Sequence, residues 1–293
     1  MSVALATATP ARGLDDDLAP LGAALTARGV AYRIADWDDP AVDWAAFALV
    51  VVRSVWDYPR RREEFLGWAG RVAARTALAN PPGLLRWSSD KRYMADLAAA
   101  GVPVVPTAFA APGEQMRWPD ADEVVVKPAV SAGSLDTSRH LRARRDEAIA
   151  HVARLHAEGR TAMAQPYLAA VEGERGETGL VFVDGAFSHA IRKGPMLVPG
   201  LAVVGGLYLE EDVRPATPTP AEHAVAATTL AAIPGGAPLY ARVDLVPDAV
   251  GAPVVLELEL VEPSLFLAHD PDAAGRMAAA IAGLLTSGAS APV

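Results

Sequence analysis

Cysteine is absent from the 293-residue sequence, which removes disulfides, thiolate metal sites and a cysteine nucleophile together. Positive charge is scarce as well. With 26 Lys and Arg against 35 Asp and Glu the net charge is −9, which argues against a general nucleic-acid binder, because phosphate backbones are held by basic surfaces. A small anionic ligand needs only a few local Lys and Arg residues, so that class stays open. No apolar run approaches the roughly 18 residues of a membrane span, and the N-terminal MSVALATATPARG lacks the basic start of an export signal. The expectation is a cytoplasmic protein without nucleic-acid or membrane partners. A nucleophile elbow of the G-x-S-x-G kind is missing too, so no serine nucleophile announces itself.

What is present is apolar content of 52%, enough to bury two or three compact lobes. The chain begins with alternating strand and helix patterns: VALATAT, the helical DDDLAPLGAALTARG with Asp residues in its first turn and Gly29 as its stop, VAYRIADW, FALVVVRS, the amphipathic RREEFLGWAGRVAAR and a short ALANP. This predicts a parallel α/β lobe over residues 1–85, with FALVVVRS buried on both faces of its sheet. From Arg86 the pattern changes. RWSSDKRYMADLAAAG reads as one helix capped by Ser88 or Ser89 and stopped at Gly101, and TGLVFVDGAFSHAIRK reads as a hairpin about Asp184-Gly185. AEHAVAATTLAAI reads as a helix, and LYARVDLV and APVVLELELVEP as the last two strands. Antiparallel strand pairs with helices on one side predict α+β lobes here, so the fold class is α/β and α+β.

Three stretches carry chemistry. VLELELVEPS sets Glu257 and Glu259 on one strand face, about 7 Å apart, an arrangement that is repulsive without a cation. In the preceding strand Arg242 and Asp244 also share a face; if the two strands pair, three carboxylates and a guanidinium converge, a donor set suited to magnesium beside phosphates. VVVKPAVSAGS places Lys127 at a strand end before small residues whose amides can close over an anion. RSVWDYP sets Arg53, Ser54, Trp56, Asp57 and Tyr58 past the end of a buried strand, where α/β sheets collect ligands. Either this is a polar loop stapled by its aromatics, or Arg53 holds a carboxylate and Asp57 an ammonium.

Lys91 on its helix, VVKP with the following Gly/Ser loop, QPYL, GET, and RVD before an acidic strand occur in an order and spacing that resemble the ATP-grasp superfamily of carboxylate-amine ligases. RSVWDYP, the NPP and RWSSDK entry, FSHAIRK and EPSLFL look most like a subgroup that includes the cyclo-ligase of D-cycloserine biosynthesis, which closes O-ureido-D-serine. The resemblance implies an ATP-grasp fold: a Rossmann-like substrate lobe over 1–85, a lid lobe over 86–167 and a C-terminal lobe with the metal site over 168–293. It implies that Lys91, Lys127 and the loop Ser131, Ala132, Gly133 and Ser134 hold the nucleotide. Gln165, Pro166, Tyr167 and Leu168 then receive adenine, and Glu177, with Glu174 as a rival, takes the ribose. Asp244, Glu257 and Glu259 become ligands of two Mg²⁺ ions, with Mn²⁺ an alternative; Glu259 stands where the commonest family pattern has Asn. Lys193 and Arg192 resemble cations near the γ-phosphate, with His189 beside them, and Arg242 suits the tetrahedral oxyanion.

Ser264 and Glu262 sit toward the substrate, where Glu262 either orients Arg242 or touches substrate. The implied activity is activation of a small amino-acid-like carboxylate as an acylphosphate, followed by amide formation, within one molecule or between two. A non-catalytic nucleotide binder is the alternative from another class. Homodimers are common among such relatives, and the loop 196–212 reads equally as a second lid or a subunit contact.

Overall fold

The computed structural model describes residues 2–173, 175–195 and 212–286. Glu174 and all of the 196–212 loop except Asp212 lie outside the described residues.

The chain opens in the order read from its sequence: β1 (Ser2–Thr7), α1 (Leu18–Ala27), β2 (Ala31–Asp36), β3 (Leu49–Val52), α2 (Arg62–Ala73) and β4 (Ala77–Ala79), except that Asp15, Asp16 and Asp17 precede α1 instead of forming its first turn. The four strands form one parallel sheet in the order β2-β1-β3-β4. Strand alternation divides its apolar residues between two cores. Ala4, Ala6, Val50 and Val52 pack with α2 and an aromatic cluster of Trp37, Phe65 and Trp68, whereas Val3, Leu5, Leu49 and Val51 pack with α1 and with the C-terminal part of the chain. Every residue of β3 is buried, as expected of an apolar run covered on both faces.

The segment read as a single helix after Arg86 is two: α3 (Pro82–Ser88) and α4 (Tyr93–Ala99). Ser88 ends the first instead of capping a longer one, and its hydroxyl donates back to the Leu84 carbonyl at 2.9 Å. The break is tertiary in origin. Lys91 falls between the helices, its amide donates to the Ala129 carbonyl at 2.8 Å and its Nζ to the Ser131 carbonyl at 2.8 Å, so this backbone is committed elsewhere.

A second sheet, antiparallel and ordered β5-β8-β6-β7, comprises β5 (Ala108–Ala110), β6 (Glu123–Pro128), β7 (Ser138–Leu141) and β8 (Ala162–Pro166). Helix α5 (Arg145–Ala157) covers one of its faces, packing on Val124 and Val126. Alternation turns Val125 and Lys127 to the other face.

The third sheet, also antiparallel, runs β11-β10-β9-β12-β13 and comprises β9 (Glu177–Val183), β10 (Ala186–Lys193), β11 (Val213–Ala216), β12 (Tyr240–Pro247) and β13 (Pro253–Glu259). Between β9 and β10 the Asp184-Gly185 pair has φ of 51° and 74°, the left-handed pair that a two-residue hairpin requires. Helix α6 (Pro220–Ala231) starts with a complete Thr219/Glu222 capping box and packs on the face formed by Ala241, Val243, Leu245, Leu258 and their neighbours. The last helix, α7 (Ala273–Thr286), joins α1 in the core shared with the first sheet. No helix among the described residues is long and apolar enough to cross a membrane.

Candidate active site

The faces of the second and third sheets left free by α5 and α6 look at each other across one cavity. From the second sheet come Val125, Lys127 and Gln165, and from the third Glu177, Lys193, Arg242, Asp244, Glu257 and Glu259. The β12–β13 register sets Arg242 opposite Glu259 and Asp244 opposite Glu257, so the expected pairing of these strands and convergence of their charges is what the backbone builds. Gly179 on β9 makes this approach sterically feasible. A Cβ there would stand 2.9 Å from Asp244 Oδ1 and 3.0 Å from the Ile191 side chain, so any larger residue would push Asp244 out of line.

Each carboxylate on this face is matched by bases. Glu257 lies 3.0 Å from Lys91 Nζ and 3.5 Å from Lys127 Nζ. Asp244 accepts two bonds of 2.8 Å from Arg242 and lies 3.3 Å from Lys193, which also pairs with Glu177 at 3.0 Å. Glu259 accepts a short bond from Arg242. Burial alone would raise the pKa of Glu257, but Lys91 and Lys127 outweigh it and hold this carboxyl near 2; Arg242 and Lys193 do the same for Asp244. Glu259 goes the other way, to about 7, because burial together with Asp244 and Glu257 prevails over the pull of Arg242. Glu262, half-buried beside Glu259, is pushed well above the usual carboxylate range by loss of solvent and by the charge of Glu259. Lys127 is lowered by burial and by Lys91 against the pull of Glu257.

At the far side of the cavity lie Pro166, Tyr167 and Leu168, and the loop Ser131–Ser134 closes one wall. Gly133 and Ser134 both take left-handed backbone, with φ of 59°. The Gln165 side chain donates to Thr107 Oγ1 at 3.0 Å, and Tyr167 stacks under Arg139 with 3.5 Å between the guanidinium carbon and the ring centre. Thr137, which the sequence did not single out, lines the same wall, and its buried hydroxyl has no hydrogen-bond partner among the described residues.

The expectations for RSVWDYP fare differently from one another. Trp56 lines the cavity, but Arg53 does not reach it. Arg53 is 1% exposed, pairs with Asp17 at 3.2 Å, donates to the Pro263 carbonyl at 3.0 Å and lies over the Tyr240 ring. Ser54 is buried against the Thr7 hydroxyl at 2.8 Å, and Asp57 accepts from Trp37 Nε1 at 2.9 Å and faces Arg61 at 3.4 Å, so neither faces a ligand. Tyr58 is buried beside Glu262. Arg192 is also corrected: strand alternation turns it away from its neighbour Lys193, onto the opposite face of β10 with Arg175 and Arg214 around a separate cavity. His189 faces neither cavity; its Nε2 donates to the Leu265 carbonyl at 2.8 Å.

Arg53 and His189 share a target with other buried side chains, the backbone that follows β13. Six consecutive carbonyls there are engaged by buried side chains. Asn80 donates to Leu260 O at 2.8 Å, the Tyr240 hydroxyl lies 2.9 Å from Val261 O, and Trp56 donates to Glu262 O at 3.1 Å. Arg53 takes Pro263 O, Arg242 takes Ser264 O at 2.7 Å, and His189 takes Leu265 O. Asp17 completes the set by accepting from the amides of Leu265 and Leu267 at 2.6 and 2.7 Å. Asp17 and Asn80 have no local sequence signal for this role, since their partners lie up to 250 positions away. The result is a fixed platform that presents Glu262 and Ser264 at the cavity edge.

A cleft between two antiparallel sheets, with lysines from one facing an acid-and-arginine array on the other and a parallel α/β unit alongside, defines an ATP-grasp ligase. Residues 3–80 match the N-terminal domain of D-cycloserine synthetase DcsG. The chain is 44% identical over 294 aligned residues to the cycloserine biosynthesis protein DcsG of Streptomyces lavendulae, covering 96% of this chain and 97% of that protein. It therefore belongs to the DcsG family. The crystal structure of D-cycloserine synthetase DcsG superimposes with a TM-score of 0.89 at 42% identity, over 97% of this chain and 100% of that one. The D-alanine–D-alanine ligase of Bacillus anthracis complexed with ATP shares the fold, with a TM-score of 0.63 at 14% identity over 98% of each chain.

Carboxylate oxygens are hard donors, and Mg²⁺ takes only one or two of them, filling its shell with phosphate and water. Among the described residues no three acidic or histidine groups converge on one point. The acids are spread along β12 and β13, with the orphaned Thr137 hydroxyl on the facing wall. Such an open set fits a divalent ion shared with a polyphosphate.

Proposed function

We propose that this ligase closes O-ureido-D-serine on itself, activating its carboxylate with ATP and joining it to the oxygen-bound ureido nitrogen. What carries the reading is one cavity that brings Lys91, Lys127 and Lys193 against Asp244, Glu257 and Glu259, in a chain 44% identical to a cycloserine biosynthesis protein.

Lys91 and Lys127 bind the phosphates together with the backbone of Ser131–Ser134, while Gln165–Leu168 receive adenine and Glu177 the ribose. Asp244, Glu257 and Glu259 would hold two Mg²⁺ ions, with Mn²⁺ an alternative, and bound ions would neutralise phosphate charge. The substrate carboxylate attacks the γ-phosphorus, the bond to the β-phosphate oxygen breaks, and ADP and an acylphosphate result. Phosphoryl transfer of this kind needs alignment and charge neutralisation more than covalent help, in keeping with a chain lacking cysteine. Residues 86–167, which carry the second sheet, act as the lid that keeps water from the acylphosphate. The nitrogen then attacks the acyl carbon, Arg242 stabilises the tetrahedral oxyanion, phosphate leaves and the nitrogen gives up its proton. The enzyme works in the cytoplasm.

The deciding experiment is ADP release from ATP with O-ureido-D-serine as the only organic acid, with products read by mass. A ring-closed product containing no second substrate supports the reading. ADP formed only when a second amine is added replaces it with an intermolecular ligase.

A further inference from the structure

Five carboxylates line the cavity, and four of them have a basic partner. Glu257 pairs with Lys91, Asp244 and Glu259 with Arg242, and Glu177 with Lys193. Glu262 is the exception: among the described residues no Lys, Arg or His forms an ion pair with it, and its companion is the buried Tyr58 hydroxyl. Nor do the stretches 196–211 and 287–293 offer a base, since they contain no Lys, Arg or His. Lys91, whose charge pulls on Glu262, directs its Nζ at Glu257 and the Ser131 carbonyl, and Arg242 directs its guanidinium at Asp244, Glu259 and the Ser264 carbonyl.

A carboxylate in a partly buried cavity without a cation is unfavourable, and such a position makes physical sense when a ligand brings the missing charge. The placement is also rigid, because Glu262 sits in the middle of the six clamped carbonyls, with Trp56 holding its own. Preorganisation of that kind serves recognition, since little ordering entropy remains to be lost on binding. Two residues separate Glu262 from Glu259, so it lies just past the acid array on the side of Trp56 and Tyr58.

We infer that Glu262 receives the α-ammonium of the substrate and makes the enzyme select α-amino acids over des-amino carboxylic acids. The inference deepens the ligase reading above and rests on it. An α-amino acid carries its ammonium two bonds from the carboxylate carbon, so a group held at Glu262 leaves the carboxylate directed toward the acid-and-base array. Holding the nitrogen as ammonium also removes its lone pair, which keeps the α-amine from competing with the ureido nitrogen as nucleophile.

The experiment compares kcat/KM for ADP release with amino acids of a D- and L-panel that includes O-ureido-D-serine, and with their des-amino counterparts, in wild type, Glu262→Gln and Glu262→Asp. The wild type is expected to prefer the amino compound strongly. Glu262→Gln should cut that preference about 100-fold, the usual loss for a charge-assisted hydrogen bond in a desolvated site. Glu262→Asp should restore part of it, and the KM for ATP should stay within about 3-fold in both variants. An equal fall for amino and des-amino acids in Glu262→Gln, or a wild type that does not distinguish them, overturns the inference. Turnover of another amino acid but not of O-ureido-D-serine overturns the substrate reading instead, and the same comparison made on that amino acid still decides the role of Glu262.

Discussion

Arg53→Ala should act on stability and on the platform, not on a direct substrate contact. The guanidinium is 1% exposed, sits 3.2 Å from Asp17, and donates to the Pro263 carbonyl at 3.0 Å. Removing one partner of a buried ion pair costs about 3–5 kcal/mol, most of it from the uncompensated charge left behind. At this chain length that corresponds to a fall in Tm of about 5–10 °C. Asp17 would then be alone against the Leu265 and Leu267 amides, so the 260–267 backbone should shift and kcat for the acid should fall while the KM for ATP changes little. Thermal denaturation followed by circular dichroism, on Arg53→Met, Asp17→Asn and the double variant, measures the pair directly. With both charges gone no lone ion remains, so the double variant should be more stable than the sum of the single losses by about 1 kcal/mol or more. An unchanged Tm with a selective rise in the KM for the carboxylate substrate would refute this and return Arg53 to the substrate surface.

Glu257→Gln should reduce ADP release about 10³-fold, since it removes both a proposed metal ligand and the counter-ion of two lysines, while ATP affinity in a binding titration stays within an order of magnitude. An unaffected rate would take Glu257 out of the site. Lys193→Ala and Arg192→Ala, adjacent in sequence, should separate by about 100-fold in kcat, because only Lys193 faces Asp244; equal losses would contradict the strand geometry. His151, packed against His140 with 3.2 Å between ring nitrogens, is held down to about 4 by burial, with Arg154 and His140 also opposing its proton. The unfolded chain takes that proton near pH 6.5 and the folded one does not, so this contribution to stability is intact above about 6.5 and declines as pH falls toward 4, by on the order of 3 kcal/mol. Guanidinium unfolding at pH 7 and 4.5 should show the drop in wild type and a smaller one in His151→Gln; identical drops would refute it.

Much of this was legible because alternation in a strand is a strict rule. The faces of β1, β3 and β12 follow from their residues, as does the shared face of Glu257 and Glu259, whereas a bulge at Leu256 brings that residue to the cavity side as well, and Asp184-Gly185 announces its turn. The same rule, applied across β10, separates Arg192 from Lys193, although their shared charge suggests a common role. Other features had no local sign. Nothing near Asp17, Asn80 or Arg53 tells that their partners lie in the 260–267 segment, and the helix break at Lys91 is imposed by carbonyls at Ala129 and Ser131. Gly179 reads as an ordinary strand glycine until Asp244 is placed 2.9 Å from where its Cβ would be. Burial of long-range polar contacts is decided by the assembled fold, so local pattern can name such residues only as polar and unexplained.

The acids of β13 have a reason that neither sheet supplies alone. In the chain by itself Lys91 and Lys127 neutralise Glu257, and Lys193 is divided between Glu177 and Asp244. In the proposed function a triphosphate would compete for these same lysines and, on taking them, would leave the carboxylates uncompensated in a partly buried cleft. Asp244, Glu257 and Glu259 would then hold a divalent ion that supplies the missing positive charge. Nucleotide and metal would therefore favour each other through the lysine-to-carboxylate pairs, and by reciprocity each would tighten the other by the same factor. In the proposed site Glu259, with a carboxylate where an amide is commoner, would strengthen the metal side of that exchange, and an incoming ammonium would draw Glu262 into its charged form.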